Sequence, residues 1–219
     1  MGRLHTVVIL TGVIATFATL ATPGAALAQT SDRAATQLFL APTGRVLPKG
    51  QGYFKGIAFS VPFVQGGVTD RLSLGIGIPL FALGEGFVVS PKFQVQRSEN
   101  HSTSVGVVEF LGAHGASGIA YAAHTIELEN GAVHVVVLKP LSAYSDARDV
   151  AVMVGAEHRV NSHVTLMTEN YLFRGGSPII SGGVRLKAPH TTWDLGWLAP
   201  LGFRYGAPGA PMINVGWKF

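Results

Sequence analysis

The 219-residue chain contains no cysteine. That excludes disulfides, thiolate metal centres and a lipid-modified N-terminal Cys, so neither a disulfide scaffold nor a lipoprotein is expected. Charge is scarce too. Asp, Glu, Lys and Arg make up 13% of the residues and hydrophobic types 47%, where an ordinary soluble domain carries about 25% charged residues. So few charges cannot clothe a water-facing surface. Beyond the N-terminal stretch no run of about 18 apolar residues occurs, which excludes a transmembrane helix. A phosphate loop and a dinucleotide fingerprint are also missing: Gly75 and Gly77 lack the third glycine and the helix that should follow. The formal charge of +4, one less without Arg3, is too small and scattered for nucleic-acid binding.

Residues 1–28 have the build of a secretory leader. Arg3 gives a positive start, Val7 to Leu20 is uncharged and mostly apolar, and Ala26-Leu27-Ala28 is a small-x-small cleavage pattern before Gln29. A cleaved signal peptide is expected over 1–28 and one domain over 29–219.

What fills that domain is alternation. In "LSLGIGIPLF" (72–81), Leu72, Leu74, Ile76, Ile78 and Leu80 fall on one side and Ser73, Gly75, Gly77 and Pro79 on the other, the period-two pattern of a strand with two unlike faces. The same holds for Val89, Phe93 and Val95 against Ser90, Lys92, Gln94 and Gln96, and for Trp193, Leu195 and Trp197 against Asp194 and Gly196. Large residues facing lipid and small or polar ones facing a lumen is the pattern of a membrane barrel. On this reading Ile76 rejects a charge, while Gly75 accepts Ser.

Strands are expected at 34–40, 52–67, 71–81, 88–97, 103–113, 117–128, 132–139, 149–160, 163–174, 178–187, 191–198 and 211–219, giving an all-β antiparallel transmembrane β-barrel of about twelve strands. Ten is the alternative, because 34–40 is short and 132–139 is apolar on both faces. Connections alternate between tight turns ("TDR", "SENH", "ENG", "NSH", "APH") and longer loops ("APTGRVLPKGQ", "ALGEGF", "HGAS", "KPLSAYSDAR", "GGS", "APLGFRYGAPGA"). Periplasmic turns and extracellular loops alternate in this way, with both termini periplasmic.

The chain ends in "INVGWKF", with Ile213, Val215, Trp217 and Phe219 on one face. This resembles the C-terminal assembly signal of Gram-negative outer-membrane barrels. Tyr53, Tyr121, Trp193 and Trp217, with Phe219, are expected in the interfacial aromatic girdles. At "PTGRVLPKGQGYFKG", "GGVTDRLSLGIGIPL", "LMTENYLF" and "SGGVRL" the chain resembles a widespread set of uncharacterised bacterial outer-membrane β-barrel proteins. The resemblance implies a fold and an outer-membrane location, with export by the leader. It supplies no reaction and no catalytic residue.

Catalytic chemistry has little to build on. Most histidines fall in turns or loops, and no Ser-His-acid spacing of a barrel lipase or deacylase occurs. His124 and His134 could share a lumenal face, but a third ligand is missing, so no metal and no cofactor are expected. The one constellation is ionic: Glu157, Arg159, Glu169, Arg185, Lys187 and Asp194 fall on the inward face of four successive strands. Counting from the turns sets Arg185 opposite Asp194 and Glu157 diagonal to Glu169, the two glutamates competing for the same cations. The expected function is a structural barrel or small-solute pore with a charge-lined lumen, plugged or open, and not an enzyme; the alternative is a barrel-embedded lipid-modifying enzyme. Expected partners are outer-membrane lipid and the barrel-assembly machinery, with no nucleic acid, the barrel being a monomer.

Overall fold

Period-two alternation becomes a wall with two unlike faces. The computed structural model describes residues 36–58, 60–113, 115–142, 149–202 and 209–219; the expected signal peptide at 1–28, and parts of the loops at 139–148 and 199–210, lie outside the described residues. Twelve strands form the wall: β1 (Gly52–Ile57), β2 (Val61–Gly67), β3 (Leu72–Gly77), β4 (Gly86–Arg97), β5 (His101–Gly112), β6 (Gly115–Leu128), β7 (Gly131–Leu141), β8 (Ala151–Arg159), β9 (Val164–Phe173), β10 (Ile179–Lys187), β11 (Thr191–Pro200) and β12 (Ala210–Lys218). Each pairs antiparallel with its successor, and β12 returns to β1, closing the barrel. The seam runs in register from Tyr53 opposite Lys218 to Gly56 opposite Val215. Phe219 finishes it: its N–H donates to the Gly52 carbonyl at 3.1 Å, and the Gly52 N–H donates back at 3.2 Å.

The large apolar side chains point outward. Ile76, Phe93, Val95, Val137, Trp193, Trp197 and Trp217 are exposed, whereas Ser73, Ser90, Lys92, Gln94, Ser104, Thr125, Arg185, Asp194 and Asn214 are buried. A barrel dissolved in water would show the reverse, so the outer face is built for lipid and the chain is a transmembrane β-barrel. A β-bulge between Gln94 and Gln96 re-aims the end of β4. Gln96 is thereby exposed rather than lumenal.

The strand count matches the expected twelve through two compensating differences. Residues 36–40, the described part of the expected first strand 34–40, lie inside the barrel. The expected strand 52–67 is a hairpin, β1 and β2, whose connection carries Ala58 at φ 48° and a Ser60 N–H donating to the Ile57 carbonyl at 3.0 Å. No Gly, Pro or Asn punctuates "AFS", so the alternation reads straight through it. "APTGRVLPKGQ" is therefore no outer loop; it leads from the interior to β1.

Two of the expected girdle aromatics are misplaced. Tyr53 and Tyr121 are buried in the lumen, Tyr53 packed with Leu47 and Phe63 and Tyr121 with Ala123, Val136 and Met153. Their strands have the opposite parity to that assumed, and each hydroxyl needs a lumenal partner. The Tyr53 hydroxyl donates to Gln65 Oε1 at 2.5 Å. Trp193, Trp217 and Phe219 are exposed on the outer face.

The faces make a paired prediction. Ile76→Arg should cost about 2–4 kcal/mol of folding stability in bilayers, from a charge on the lipid face. Gly75→Ser, expected from sequence to be tolerated, should also destabilise, by about 1–3 kcal/mol: a Cβ at Gly75 would lie 2.3 Å from the Phe63 ring. Urea titration of both variants against wild type measures this, and a silent Ile76→Arg would contradict the facing.

Candidate functional site

Eight strands enclose an interior just wide enough for their own side chains; twelve enclose more. Here the excess is occupied by the chain itself. Residues 36–43 fold back in a tight hairpin, Leu38 N–H donating to the Ala41 carbonyl at 2.9 Å and Thr43 N–H to the Thr36 carbonyl at 3.0 Å. Residues 44–48 then run along the wall towards the Phe219 end, where Gly50 N–H donates to the Gly67 carbonyl. Thr36, Leu38, Phe39, Ala41, Thr43, Val46 and Leu47 are all buried.

A segment outside any sheet must find other partners for its N–H and C=O groups once they leave water. The lumenal side chains supply them from nearly every direction. Lys92 Nζ donates to the Thr36 carbonyl at 2.9 Å. Lys55 Nζ donates to the carbonyls of Leu38 and Phe39 at 3.1 and 3.2 Å, and Asn214 Nδ2 to that of Phe39 at 2.9 Å. Ser104 Oγ and Gln94 Nε2 donate to the carbonyls of Thr43 and Gly44. In the other direction, Glu169 Oε2 accepts from Leu40 and Ala41 N–H at 3.0 and 3.1 Å. Thr125 Oγ1 accepts from Gly44 N–H, and Ser73 Oγ from Leu47 N–H. Polar residues on the inner face of seven strands thus act as a template for one internal segment.

Apolar packing completes the seat. Leu38, Phe39 and Ala41 join Tyr121, Ala123, Val136, Met153, Met167 and Met212 in one cluster. Phe39 needs the bare backbone of β10 and β11 beside it, since a Cβ at Gly183 or Gly196 would come within 2.8 Å of its ring.

Charge is concentrated in two nodes. In one, Arg185 Nε donates to Asp194 Oδ1 at 2.6 Å and its Nη2 to Oδ2 at 3.0 Å, with Lys55 Nζ 3.2 Å from Asp194 Oδ2. The same Arg185 nitrogen reaches the carbonyls of Gln37 and Leu38 at 3.0 and 3.2 Å. In the other node Arg45, on the internal segment, holds both oxygens of Glu127 at 2.6 Å and one of Glu157 at 2.5 Å. Charge-assisted, bidentate contacts of this kind are the stronger class of hydrogen bond.

The six ionic residues read from sequence therefore separate. Arg185 and Asp194 are register partners and in contact. Glu157 and Glu169 are diagonal neighbours on β8 and β9, yet they do not compete for the same cation. Glu157 is taken by Arg45, while Glu169 holds segment N–H groups and accepts from the Tyr171 hydroxyl at 2.6 Å. Arg159 and Lys187 are half-buried at the strand ends opposite Thr165 and Thr192. Sequence reasoning missed Arg45, Glu127, Lys55 and Asn214. Arg45 falls in "APTGRVLPKGQ", expected to be a loop, and Lys55 in 52–67, expected to be a single strand. The available signal was a lone charge in a mostly apolar stretch, as at Lys55 in "GYFKGIAF".

His124 and His134 face opposite sides of the wall, contrary to the shared face considered above. They sit one register step apart, His124 opposite Val135 and His134 opposite Thr125. His134 is lumenal and bonded to Thr125; His124 stacks on His101 outside, ring centroids 5.5 Å apart. At the rim Ser162 Oγ lies 2.9 Å from His163 Nδ1. The two are chain neighbours in an exposed turn, and no carboxylate among the described residues bonds to His163, so nothing orients the imidazole as a triad would.

Against known proteins, no family model matches the chain and no curated protein matches it significantly. Solved structures do. A KdgM porin in complex with disordered oligogalacturonate superposes with a TM-score of 0.58 at 7% identity, over 77% of this chain and 98% of that one. A second KdgM porin structure gives 0.55 at 9% identity with the same coverage. At such identities the likeness is one of fold: a closed β-barrel of the outer-membrane porin kind.

Because Arg185 is buried and anchors both Asp194 and the internal segment, Arg185→Ala should lower stability in detergent by about 3–5 kcal/mol, leaving Asp194 underpaired. A double-mutant cycle with Asp194→Ala, read by heat-modifiable mobility, should show strong coupling. Additive losses would mean that the pair sits in water.

Proposed function

We propose that the protein is an outer-membrane pore for small polar solutes, closed at rest by residues 36–48. The observation that carries the reading is the way this segment is held. It belongs to no strand of the wall and is held to the wall by side-chain contacts, not by the backbone ladder that closes the barrel. A barrel with a purely structural task could fill its interior with wall side chains, as narrow barrels do. The porin fold of the structural neighbours supports a channel and not an enzyme.

Buried Leu38, Phe39 and Leu47, each worth about 1.5–3 kcal/mol when withdrawn from water, favour the closed form. With the segment withdrawn, the path would be lined by Lys55, Lys92 and Arg185 against Glu127, Glu157, Glu169 and Asp194, a mixed set suited to polar solutes of either sign. We place the Phe219 end in the periplasm. Ile213, Val215, Trp217 and Phe219, outward on β12 at the seam, are then presented to the assembly machinery, and the folded barrel is a monomer in lipid.

Planar-bilayer recording tests this. Wild type should show little or no steady conductance, and a chain lacking residues 36–48 should conduct steadily. Arg45→Ala, which removes the tether to Glu127 and Glu157, should give intermittent openings. A folded deletion variant that stays silent would favour the structural barrel, and a steadily conducting wild type would remove the segment from its role as a gate.

A further inference from the structure

The wall is uneven in height. β1, β2 and β3 have six, seven and six residues, whereas β4, β5, β6 and β7 have 12, 12, 14 and 11. A strand crossing the hydrocarbon at a tilt of about 45° needs about 9–11 residues. Six residues at ~3.3 Å each rise only ~14 Å, well short of an apolar band ~25 Å tall. The shortfall lies at the end away from Phe219, where β3 gives way to residues 78–85 and a single 3-10 turn at Leu80–Ala82.

These residues do not look like a loop in water. The outward stripe of β3 continues past the end of the strand: Ile78 and Leu80 are each 47% exposed, matching Leu74 at 48% and Ile76 at 53%, with Pro79 buried between them. Phe81 and Leu83 follow at 78% and 66%, the two most exposed large hydrophobic side chains among the described residues. From Leu72 to Pro91 the only charged residue is Glu85. A contiguous apolar patch of this kind marks a surface covered by something apolar.

Irregular backbone survives in hydrocarbon only where its polar groups are satisfied, and here several are. Ile78 and Leu80 N–H donate to the carbonyls of Pro62 and Ser60 at 3.0 and 2.7 Å, extending the β2–β3 ladder beyond its last strand residue. Ala82 and Glu85 N–H donate to the carbonyls of Pro79 and Ala82 at 3.0 and 3.1 Å. Pro79 has no N–H to satisfy.

We propose that residues 78–84 lie among the acyl chains of the leaflet at that end, an apolar loop replacing the missing strand height, with Glu85 at the headgroups. The occupant of this surface is lipid, continuous with the lipid-facing stripe of β3. The β9–β10 connection, with Arg174, Gly175, Gly176 and Ser177 exposed, has the opposite composition and is the aqueous reference.

The absence of native cysteine makes the test direct. Phe81→Cys, Leu83→Cys and, as reference, Ser177→Cys are made singly in the full chain, reconstituted alone into phosphatidylcholine vesicles, and checked for folding by heat-modifiable mobility. A membrane-impermeant maleimide should label Ser177→Cys fully while Phe81→Cys and Leu83→Cys lose all labelling until the protein is denatured. Spin labels at 81 and 83 should be relaxed strongly by oxygen and weakly by a polar nickel chelate. Labelling at 81 and 83 as rapid as at 177 would overturn the proposal in favour of an aqueous loop. Protection from both oxygen and the chelate would overturn it in favour of a second protein copy.

Discussion

A polypeptide segment carried into the middle of a barrel brings a donor and an acceptor at almost every residue, and each left unpaired out of water costs on the order of 1–3 kcal/mol. That constraint governs this lumen. The carbonyls of Thr36, Gln37, Leu38, Phe39, Thr43 and Gly44 each accept from a side chain of the wall, and the N–H groups of Leu40, Ala41, Gly44 and Leu47 each find an oxygen there. The identity of the inward residues follows from this list: lysine, arginine, asparagine, glutamine and Ser104 donate where carbonyls arrive, and glutamate, Thr125 and Ser73 accept where N–H groups arrive.

The ionic groups make sense on the same terms. Buried charges are tolerated when paired and further hydrogen-bonded. Asp194 is shared by Arg185 and Lys55, and both cations also donate to backbone carbonyls of the internal segment. Glu127 and Glu157 converge on Arg45. The wall and its internal segment are thus electrically complementary, and neither is well satisfied without the other or without water in its place. In the proposed pore this complementarity would hold the closed state, and water would take the segment's place in the open one.

Much of the wall was legible from sequence because lipid on one side and a polar lumen on the other impose a strict period of two. Ile76 against Ser73, Trp193 against Asp194 and Phe93 against Lys92 leave little choice of face. What was not legible was whatever escapes periodicity. The β1–β2 turn at Ala58 carries no turn residue, so two strands read as one. Residues 36–40 are a short, mostly apolar run bounded by a proline at 42, and nothing local distinguishes a segment paired with side chains inside a barrel from one paired with backbone in its wall. Tyr53 and Tyr121 show a related limit: an amphipathic ring suits an interface and a lumen equally, and only strand parity decides. The ionic residues could be placed on a common face, and Arg185 with Asp194 as a pair, but Glu157 finds its partner in Arg45 and Glu169 in the N–H groups of Leu40 and Ala41, more than 100 residues distant in sequence.

The central claim is that residues 36–48 fill the lumen, and Ser104 sits beneath them, its Oγ donating to the Thr43 carbonyl at 3.0 Å. The most direct measurement is the reaction rate of Ser104→Cys with a small, charged methanethiosulfonate reagent in vesicles, with and without residues 36–48. The thiol should be inert in the complete chain and react rapidly once the segment is deleted. Equal rates in the two proteins, whether fast or slow, would contradict it.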